Sequence, residues 1–349
     1  MVFIYFCLFI LAVVWKSGTC KKKGYARFVA FIFFMIAFLK SIDFGSDDLS
    51  FYYGYYKSLP SLSYQYLIEL GRNNMLKDTG FYLVAKFFAD AGISAQLWMG
   101  IIGLLFGISV AFTIYKYSKH DFISVLMLFS LSYLSFSLTG LRQTVSLSIT
   151  ILAYRYAKEK RAVPFFALVL LASAFHSSAL FFLIAFFLPR RKTMTISAFI
   201  VIVIQVIIAS LMPDYFRRAV ALIGWTESLQ SYSLSSSALT WSGFIIQLAI
   251  YVFCLYLNSD RLHEESEESY DLNLMVIGLA FQTYSSVIAE LFRMSMYFSF
   301  FGIIAVPAAL SRIENDRIRA NNSIAVILVL LLYMIYSKAF WGYTFFWNV

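Results

Sequence analysis

The chain has 349 residues, of which 61% are hydrophobic and only 13% are charged. Soluble domains are close to half apolar and about a quarter charged, so this composition excludes an ordinary soluble protein. The net charge of +9 lies largely in short basic clusters between apolar runs, which membrane topology explains better than a nucleic-acid partner does. We therefore predict an all-α, polytopic integral membrane protein.

Apolar runs define the predicted membrane spans, which need to cross about 30 Å of hydrocarbon. In chain order they cover roughly 2–15, 28–44, 96–115, 121–139, 144–157, 162–188, 193–212, 241–257, 272–290, 294–310 and 322–340. The run 162–188 is either one long span or a hairpin that bends near "AFHSSA", at 174–179. Small residues and hydroxyls there favour the hairpin. The result is about 11–12 helices in one membrane domain, 1–349, without a large soluble part.

Basic clusters predict the orientation of the spans, because Lys and Arg are enriched in cytoplasmic loops. The clusters are "KSGTCKKKGYAR", "KYSK", "RYAKEKR", "RRK", the Arg near 261 and "RIENDRIR". With these in the cytoplasm, both termini and the long segments at about 45–95 and 213–240 lie outside. The amphipathic piece "GFYLVAKFFADAG" of the first segment is then expected to lie along the membrane surface.

Polar residues outside these clusters gather at the predicted outer ends of the spans. They are Asp47 and Asp48 after the second span, Arg142 and Gln143 between the fourth and fifth, His176 at the proposed bend, Arg217 and Arg218 after the span that ends near 212, and Arg293 with Glu290 and Tyr297 within one turn of it. The three cysteines lack C-x-x-C spacing, and no metal-ligand cluster is present in the sequence, so we expect neither a metal site nor a cofactor.

Arginines at the outer leaflet are suited to binding a lipid-linked anion. Guanidinium groups stay charged in a low dielectric and bind diphosphate oxygens through paired donors. In glycosyl transfer from a polyprenyl diphosphate, negative charge grows on the departing diphosphate, so fixed arginines stabilise the transition state more than the ground state. The acceptor hydroxyl must also lose a proton, for which His176 or Asp47 is the candidate base.

Each candidate also has a purely structural interpretation. Arg142 could reach the interface or pair with Glu290, and Arg293 could form a helix pair with the same carboxylate. His176 could be a hydrogen-bonded packing residue. The remaining structural roles are helix capping by Asp47 and Asp48 and lipid-headgroup contact by Arg217 and Arg218.

Five short motifs carry a resemblance to a known family. "GSDDLSFYYGYY" resembles the G-x-D-x-x-x-Y signature after the second span of the EpsG-type family, which contains Wzy-like polymerases of bacterial exopolysaccharide, capsule and O-antigen. "DTGF" (78–81) is similar to its E-x-G-Y/F element, with Asp78 in place of Glu. "GLRQ" (140–143), "ASAFHSSAL" (172–180) and "FRMSMYF" (292–298) resemble three further elements, and all five occur in the family's order.

The resemblance implies a GT-C-like, metal-independent glycosyltransferase of the cytoplasmic membrane, similar in logic to the O-antigen ligases. A growing glycan would move from its undecaprenyl diphosphate onto the non-reducing end of a new lipid-linked unit at the outer face. Membrane lipids and a chain-length regulator are the further partners it implies. We expect Arg142 and Arg293 to hold the donor diphosphate, Gln143 to orient it, and His176 or Asp47 to be the acceptor base. The wider binding set is Tyr297, Asp78, Arg217 and Arg218.

Two other functions are compatible with parts of this pattern. A lipid-linked oligosaccharide flippase would use the same arginines, but it should carry charges along a full transmembrane path rather than on one side. A membrane acyltransferase built around His176 would give Arg142 no role.

Overall fold

The computed structural model describes residues 1–45, 47–190, 196–222, 241–259, 268–288 and 290–348. Within these ranges the regular structure is helical, and the extended pairing is confined to one bridge between Lys40 and Phe345. The all-α prediction is confirmed. The chain forms two compact units, one of Met1–Leu183 with Asn315–Val349 and the other of Ile184–Glu314.

The first unit holds ten helices before residue 183 and one near the C-terminus. These are α1 Val2–Ser17, α2 Lys22–Leu39, α3 Asp47–Ser58, α4 Tyr64–Arg72, α5 Thr79–Asp90, α6 Ala95–Tyr117, α7 Asp121–Ser130, α8 Tyr133–Ser137, α9 Leu141–Lys158, α10 Ala162–Phe175 and, after the second unit, α18 Asp316–Ser337. Short 3₁₀ turns occupy Leu59–Ser61, Ser177–Leu183 and Phe346–Asn348.

The second unit contains seven helices within its described ranges. They are α11 Ile184–Phe187, α12 Ile196–Leu211, α13 Pro213–Leu222, α14 Ser242–Leu257, α15 Glu268–Tyr284, α16 Leu291–Ser299 and α17 Gly302–Ser311. The predicted outer segment 213–240 begins with α13, and the rest of it, from 223, lies outside the described residues.

Several helices are long and apolar enough to cross a membrane. Ala95–Tyr117, Leu291–Ser311 and Asp316–Ser337 qualify by length and composition, and a fourth span results if Ala198–Leu211 and Pro213–Val220, bent by 101°, are counted together. In the described ranges, five further apolar helices have 10–17 residues. The polytopic membrane class is confirmed, whereas the count of about 11–12 spans and the single-domain organisation stay predictions.

Helices α2 and α6 of the first unit pack closely against each other. A Cβ on Gly103 of α6 would collide with Ala37 of α2, and one on Gly107 would come within 3.0 Å of Ala30 backbone atoms. Small residues at such spacing let two helix backbones approach closely, the arrangement typical of membrane bundles. The N-terminal end of α6, with Trp98, is thereby fixed against α2.

Three helices form the segment 45–95, where the sequence predicted a polar stretch and one amphipathic helix. The amphipathic helix is confirmed as α5, and the two additional helices are α3 and α4. Ser63 caps α4 by accepting the Tyr66 N–H at 3.0 Å. Tyr56, Phe81 and Trp98 are buried together in a core of this segment, which therefore packs as an ordered cap on the first unit.

The run 162–188 reverses direction at His176. Helix α10 ends at Phe175, His176 is extended (φ −159°, ψ 116°), and a 3₁₀ turn follows over Ser177–Leu183. The ring centroids of Phe165 and Phe182 are 6.0 Å apart. A continuous helix would separate these residues by roughly 25 Å. The structure therefore supports the hairpin, with its bend at the predicted place.

The C-terminal residues close the first unit against its N-terminal part. The Ser41 N–H donates to the Thr344 carbonyl at 2.8 Å, and the Tyr343 hydroxyl donates to the Ile36 carbonyl at 2.8 Å. Lys40, between these contacts, is fully buried, and its Nζ donates to Met99 Sδ at 3.4 Å.

Candidate active site

Asp78 lies at the centre of a polar cluster in the first unit. It precedes α5 in the left-handed backbone region (φ 57°, ψ 44°), which Asp adopts more readily than most residues. Its side chain is only 6% exposed, and its Oδ2 contacts both Arg142 Nη1 at 3.0 Å and His176 Nδ1 at 2.8 Å. Its Oδ1 accepts the Ser177 N–H at 3.1 Å. One carboxylate thus ties together α5, α9 and the hairpin.

Arg142 lies in the first turn of α9, and three protein groups bind its guanidinium. Nε donates to the Tyr52 hydroxyl at 2.7 Å, and Nη1 donates to the Lys77 carbonyl at 3.4 Å in addition to its contact with Asp78. The guanidinium carbon is 5.5 Å from the centroid of the Tyr52 ring. The side chain is nevertheless 24% exposed. A fixed and partly exposed guanidinium is suited to a ligand oxyanion.

The pKa of the Asp78 carboxyl lies below its usual value. Burial alone would raise this pKa, but the hydrogen bond and charge of His176, the charge of Arg142 and the Ser177 N–H together lower it. Asp78 is therefore ionised near neutral pH and can only accept hydrogen bonds.

His176 is oriented by this ionised carboxylate. Because Asp78 only accepts, Nδ1 of His176 carries the proton of their 2.8 Å hydrogen bond. A neutral imidazole in this tautomer has its lone pair on Nε2, which can then receive a proton. The side chain is 16% exposed, at the reversal of the hairpin.

Gly80 allows α5 to meet the end of α10. A Cβ at this position would lie 2.5 Å from the carbonyl oxygen of Ala174. Gly80 lies two residues after Asp78, and Ala174 lies two residues before His176, so the two positions adjoin the hydrogen-bonded pair of Asp78 and His176. The absence of a side chain therefore permits the approach on which that pair depends.

An aromatic cleft adjoins the cluster. Its walls include Tyr52, Tyr53, Tyr55 and Tyr56 of α3, together with residues of α5 and α6 such as Tyr82 and Trp98. Tyr52, which binds Arg142, belongs to both the cluster and the cleft.

Comparison with protein families places the chain in a known group. The EpsG family matches the chain over residues 23–347, which include every residue of the cluster. The chain belongs to the EpsG family. Membership points to a polysaccharide polymerase-type, glycosyltransferase-like function and agrees with the multi-pass membrane class. No curated protein and no solved structure matched the chain.

The structure of this EpsG-family protein brings together three of the predicted site residues, Arg142, Asp78 and His176. The carboxylate that Arg142 contacts is Asp78, whereas the sequence had suggested Glu290 as a structural partner. Gln143, beside Arg142, is only 3% exposed. Asp47 begins α3, and its side chain lies outside the described part of the chain.

The remaining predicted residues of this EpsG-family protein belong to the second unit. Arg217 is exposed in α13 and pairs with Asp214 at 2.8 Å, and Arg218 is also exposed. An exposed pair of this kind contributes little to stability and suits a headgroup-facing helix. In α16, Arg293 is half-buried and Tyr297 is buried. Their roles in the site stay predictions.

Sequence reasoning missed two features of the cluster. It assigned Asp78 by resemblance alone, without expecting one carboxylate to hold both Arg142 and His176. It also overlooked Tyr82, a wall of the cleft. A usable signal was present, since Tyr82 follows Asp78 by four residues at the start of an amphipathic helix and such residues share a face.

Proposed function

We propose that the protein is a polysaccharide polymerase that joins polyprenyl-diphosphate-linked repeat units at the outer face of the bacterial cytoplasmic membrane. One observation carries the proposal. Asp78 holds a partly exposed guanidinium and an imidazole on the same carboxylate oxygen, at 3.0 and 2.8 Å. A cation for a leaving diphosphate and a base for a hydroxyl thereby lie side by side.

In the proposed reaction, His176 Nε2 takes the proton of a hydroxyl at the non-reducing end of the acceptor. The hydroxyl oxygen attacks the anomeric carbon of the donor sugar that is bonded to diphosphate. The bond between that carbon and the phosphate oxygen breaks, and polyprenyl diphosphate departs. Arg142 neutralises the charge that grows on the diphosphate, which makes the interaction strongest in the transition state.

Asp78 acts through its neighbours in this proposal. Its ionised carboxylate keeps the proton of His176 on Nδ1 and stabilises the imidazolium formed after proton transfer. It also fixes the orientation of the Arg142 guanidinium, since a bidentate donor is useful only when its plane is set. Asp78 is therefore a positioning residue.

The cluster favours a polymerase over the two other functions. An acyltransferase built around His176 has no use for the cation that shares the carboxylate of that histidine. A flippase needs anion-binding groups, but it does not need a base whose tautomer is set. Chain growth is consequently the property that separates the three functions.

The test uses purified protein in liposomes with lipid-linked repeat units isolated from cells that lack the polymerase. We expect products that lengthen with time, and loss of elongation in Arg142→Ala and His176→Ala. Arg142→Lys keeps the charge but loses the planar donor pair, so it should remain severely impaired. Arg72→Ala, at an exposed arginine that ends α4, is the matched control and should elongate normally. Movement of the lipid between leaflets without chain growth would contradict the proposal.

A further inference from the structure

The protein contacts of Arg142 are confined to Nε and Nη1 of its guanidinium. Nε donates to the Tyr52 hydroxyl at 2.7 Å, while Nη1 contacts Asp78 Oδ2 at 3.0 Å and the Lys77 carbonyl oxygen at 3.4 Å. Nε carries a single N–H and Nη1 carries a pair, so these contacts use all of their donors. In the part of the chain that the structure describes, no protein group binds Nη2. Nη2 is therefore the nitrogen that can donate to a ligand.

The contact of Arg142 with Asp78 through one nitrogen is weaker than the bidentate arrangement that these groups can form. Arginine–carboxylate pairs are frequently bidentate, with two parallel N–H donors on the two carboxylate oxygens. Asp78 Oδ1 accepts the Ser177 N–H at 3.1 Å, but a carboxylate oxygen can accept more than one hydrogen bond. Because Nη2 belongs to both edges of a guanidinium that can form such a pair, a bidentate contact would turn Nη2 toward Asp78 and away from a ligand.

Tyr52 opposes that closure. Its hydroxyl accepts the Nε–H of Arg142, and the guanidinium carbon is 5.5 Å from the centroid of its ring. The ring of Tyr52 packs edge-on against Phe81, with centroids 6.0 Å apart. Phe81 is buried in the first turn of α5 and follows Asp78 by three residues. Packing of α3 on α5 therefore sets the position of the hydroxyl relative to Asp78.

We propose that Tyr52 is a positioning residue for Arg142. By accepting the Nε–H, its hydroxyl keeps the guanidinium in contact with Asp78 through Nη1 alone and leaves Nη2 to bind the donor diphosphate. This inference rests on the proposed function for the identity of the anion. It gives the hydroxyl of Tyr52 a role that is separate from the packing of its ring.

The test measures binding of a polyprenyl diphosphate without chain growth. The probe is radiolabelled undecaprenyl diphosphate, and its equilibrium binding is measured with the protein in nanodiscs. Tyr52→Phe removes the hydroxyl and keeps the ring. We expect it to weaken binding about tenfold, since the ligand must then break a bidentate pair whose additional contact is a hydrogen bond between charged groups. Tyr66→Phe removes the hydroxyl of a tyrosine in α4 that is 47% exposed, and this matched control should bind as the wild type does.

A second background distinguishes positioning from packing. Asp78→Asn removes the carboxylate charge with which the guanidinium of Arg142 would pair, so loss of the Tyr52 hydroxyl should matter much less there. On the Asp78→Asn background we expect Tyr52→Phe to weaken binding by no more than about threefold. A purely structural contribution of the hydroxyl, or its direct contact with the ligand, would instead give the same loss on both backgrounds.

Two results would overturn the role of Tyr52, namely unchanged binding in Tyr52→Phe and an equal loss on the wild-type and Asp78→Asn backgrounds. Failure of the proposed function has a different signature. Absence of chain growth by the wild-type protein in the liposome assay would refute the polymerase reaction, whereas a loss of binding confined to the wild-type background would still assign Tyr52 its effect on Arg142.

Discussion

Replacement of Asp78 by asparagine isolates the charge of the central carboxylate. Asparagine has almost the same shape and also tolerates the left-handed backbone conformation found here (φ 57°). The substitution therefore leaves the start of α5 in place. It replaces an acceptor-only group by one oxygen acceptor and one NH₂ donor.

The magnitude follows from the three contacts of the carboxylate. An asparagine oxygen can still accept the Ser177 N–H, now 3.1 Å from Oδ1, but the NH₂ group then faces Arg142 and His176, which are donors. His176 responds by moving its proton to Nε2, where no lone pair remains for the acceptor hydroxyl. A comparable Asp-to-Asn change in the serine protease triad lowers kcat by about 10⁴, so we expect elongation to fall by about 10³–10⁴. The loss of charge-assisted hydrogen bonds should cost about 2 kcal/mol of stability, which leaves the fold intact.

The assay is the rate of chain elongation in liposomes at saturating lipid-linked repeat unit, with melting temperature as the control for folding. Asp78→Glu restores a carboxylate on a side chain longer by one methylene, and it should recover part of the lost rate. Elongation by Asp78→Asn within tenfold of the wild-type rate would refute the tautomer argument. Equal loss in the asparagine and glutamate variants would show that shape, not charge, is what the position requires.

Four further predictions concern stability. Gly80→Ala should slow elongation and lower the free energy of unfolding by about 1–3 kcal/mol, because its new methyl group meets a backbone oxygen at 2.5 Å. The loss of stability is measured as a lower melting temperature. Gly54→Ala, in a helix with open space around the new atom, should instead stabilise by about 0.5–1 kcal/mol. Lys40→Met should raise the melting temperature, since it removes a fully buried polar amino group, whereas Lys23→Met at an exposed site should not. Finally, the folded pKa of Asp78 is lowered, so its stabilisation is present above the ordinary carboxyl range and is lost as the pH falls through that lowered pKa. The melting-temperature difference between wild type and Asp78→Asn should therefore shrink as the pH falls below about 4; growth of that difference over the same range would contradict the sign.

Apolar periodicity and length were sufficient to predict most helices, because membrane spans are the strongest signal that a sequence carries. The bend of the hairpin was also predictable, from the small residues around His176. Helices α3 and α4 of the segment 45–95 were not predicted, since α3 combines charges, tyrosines and Gly54 without a clear apolar face.

The site was predictable in its residue types but not in its connections. Arg142 and His176 were identified because a charge and a histidine stand out in apolar sequence. Their link through Asp78 depends on a left-handed turn before α5 and on the close approach at Gly80. Neither the backbone region nor a contact across nearly 100 residues can be read from local pattern.

Residues 343–345 close the first unit, so this unit can be completed only late in synthesis of the chain. Ser41 and Ile36 find their hydrogen-bond partners only after the whole second unit has been translated. During synthesis, the C-terminal end of α2 therefore lacks these partners until residues 184–314 have been made. A ribosome stalled or a chain cleaved before residue 343 would release a protein that contains Asp78, Arg142 and His176 yet lacks the contacts that seal their unit, and such fragments should be preferred substrates for membrane quality-control proteases.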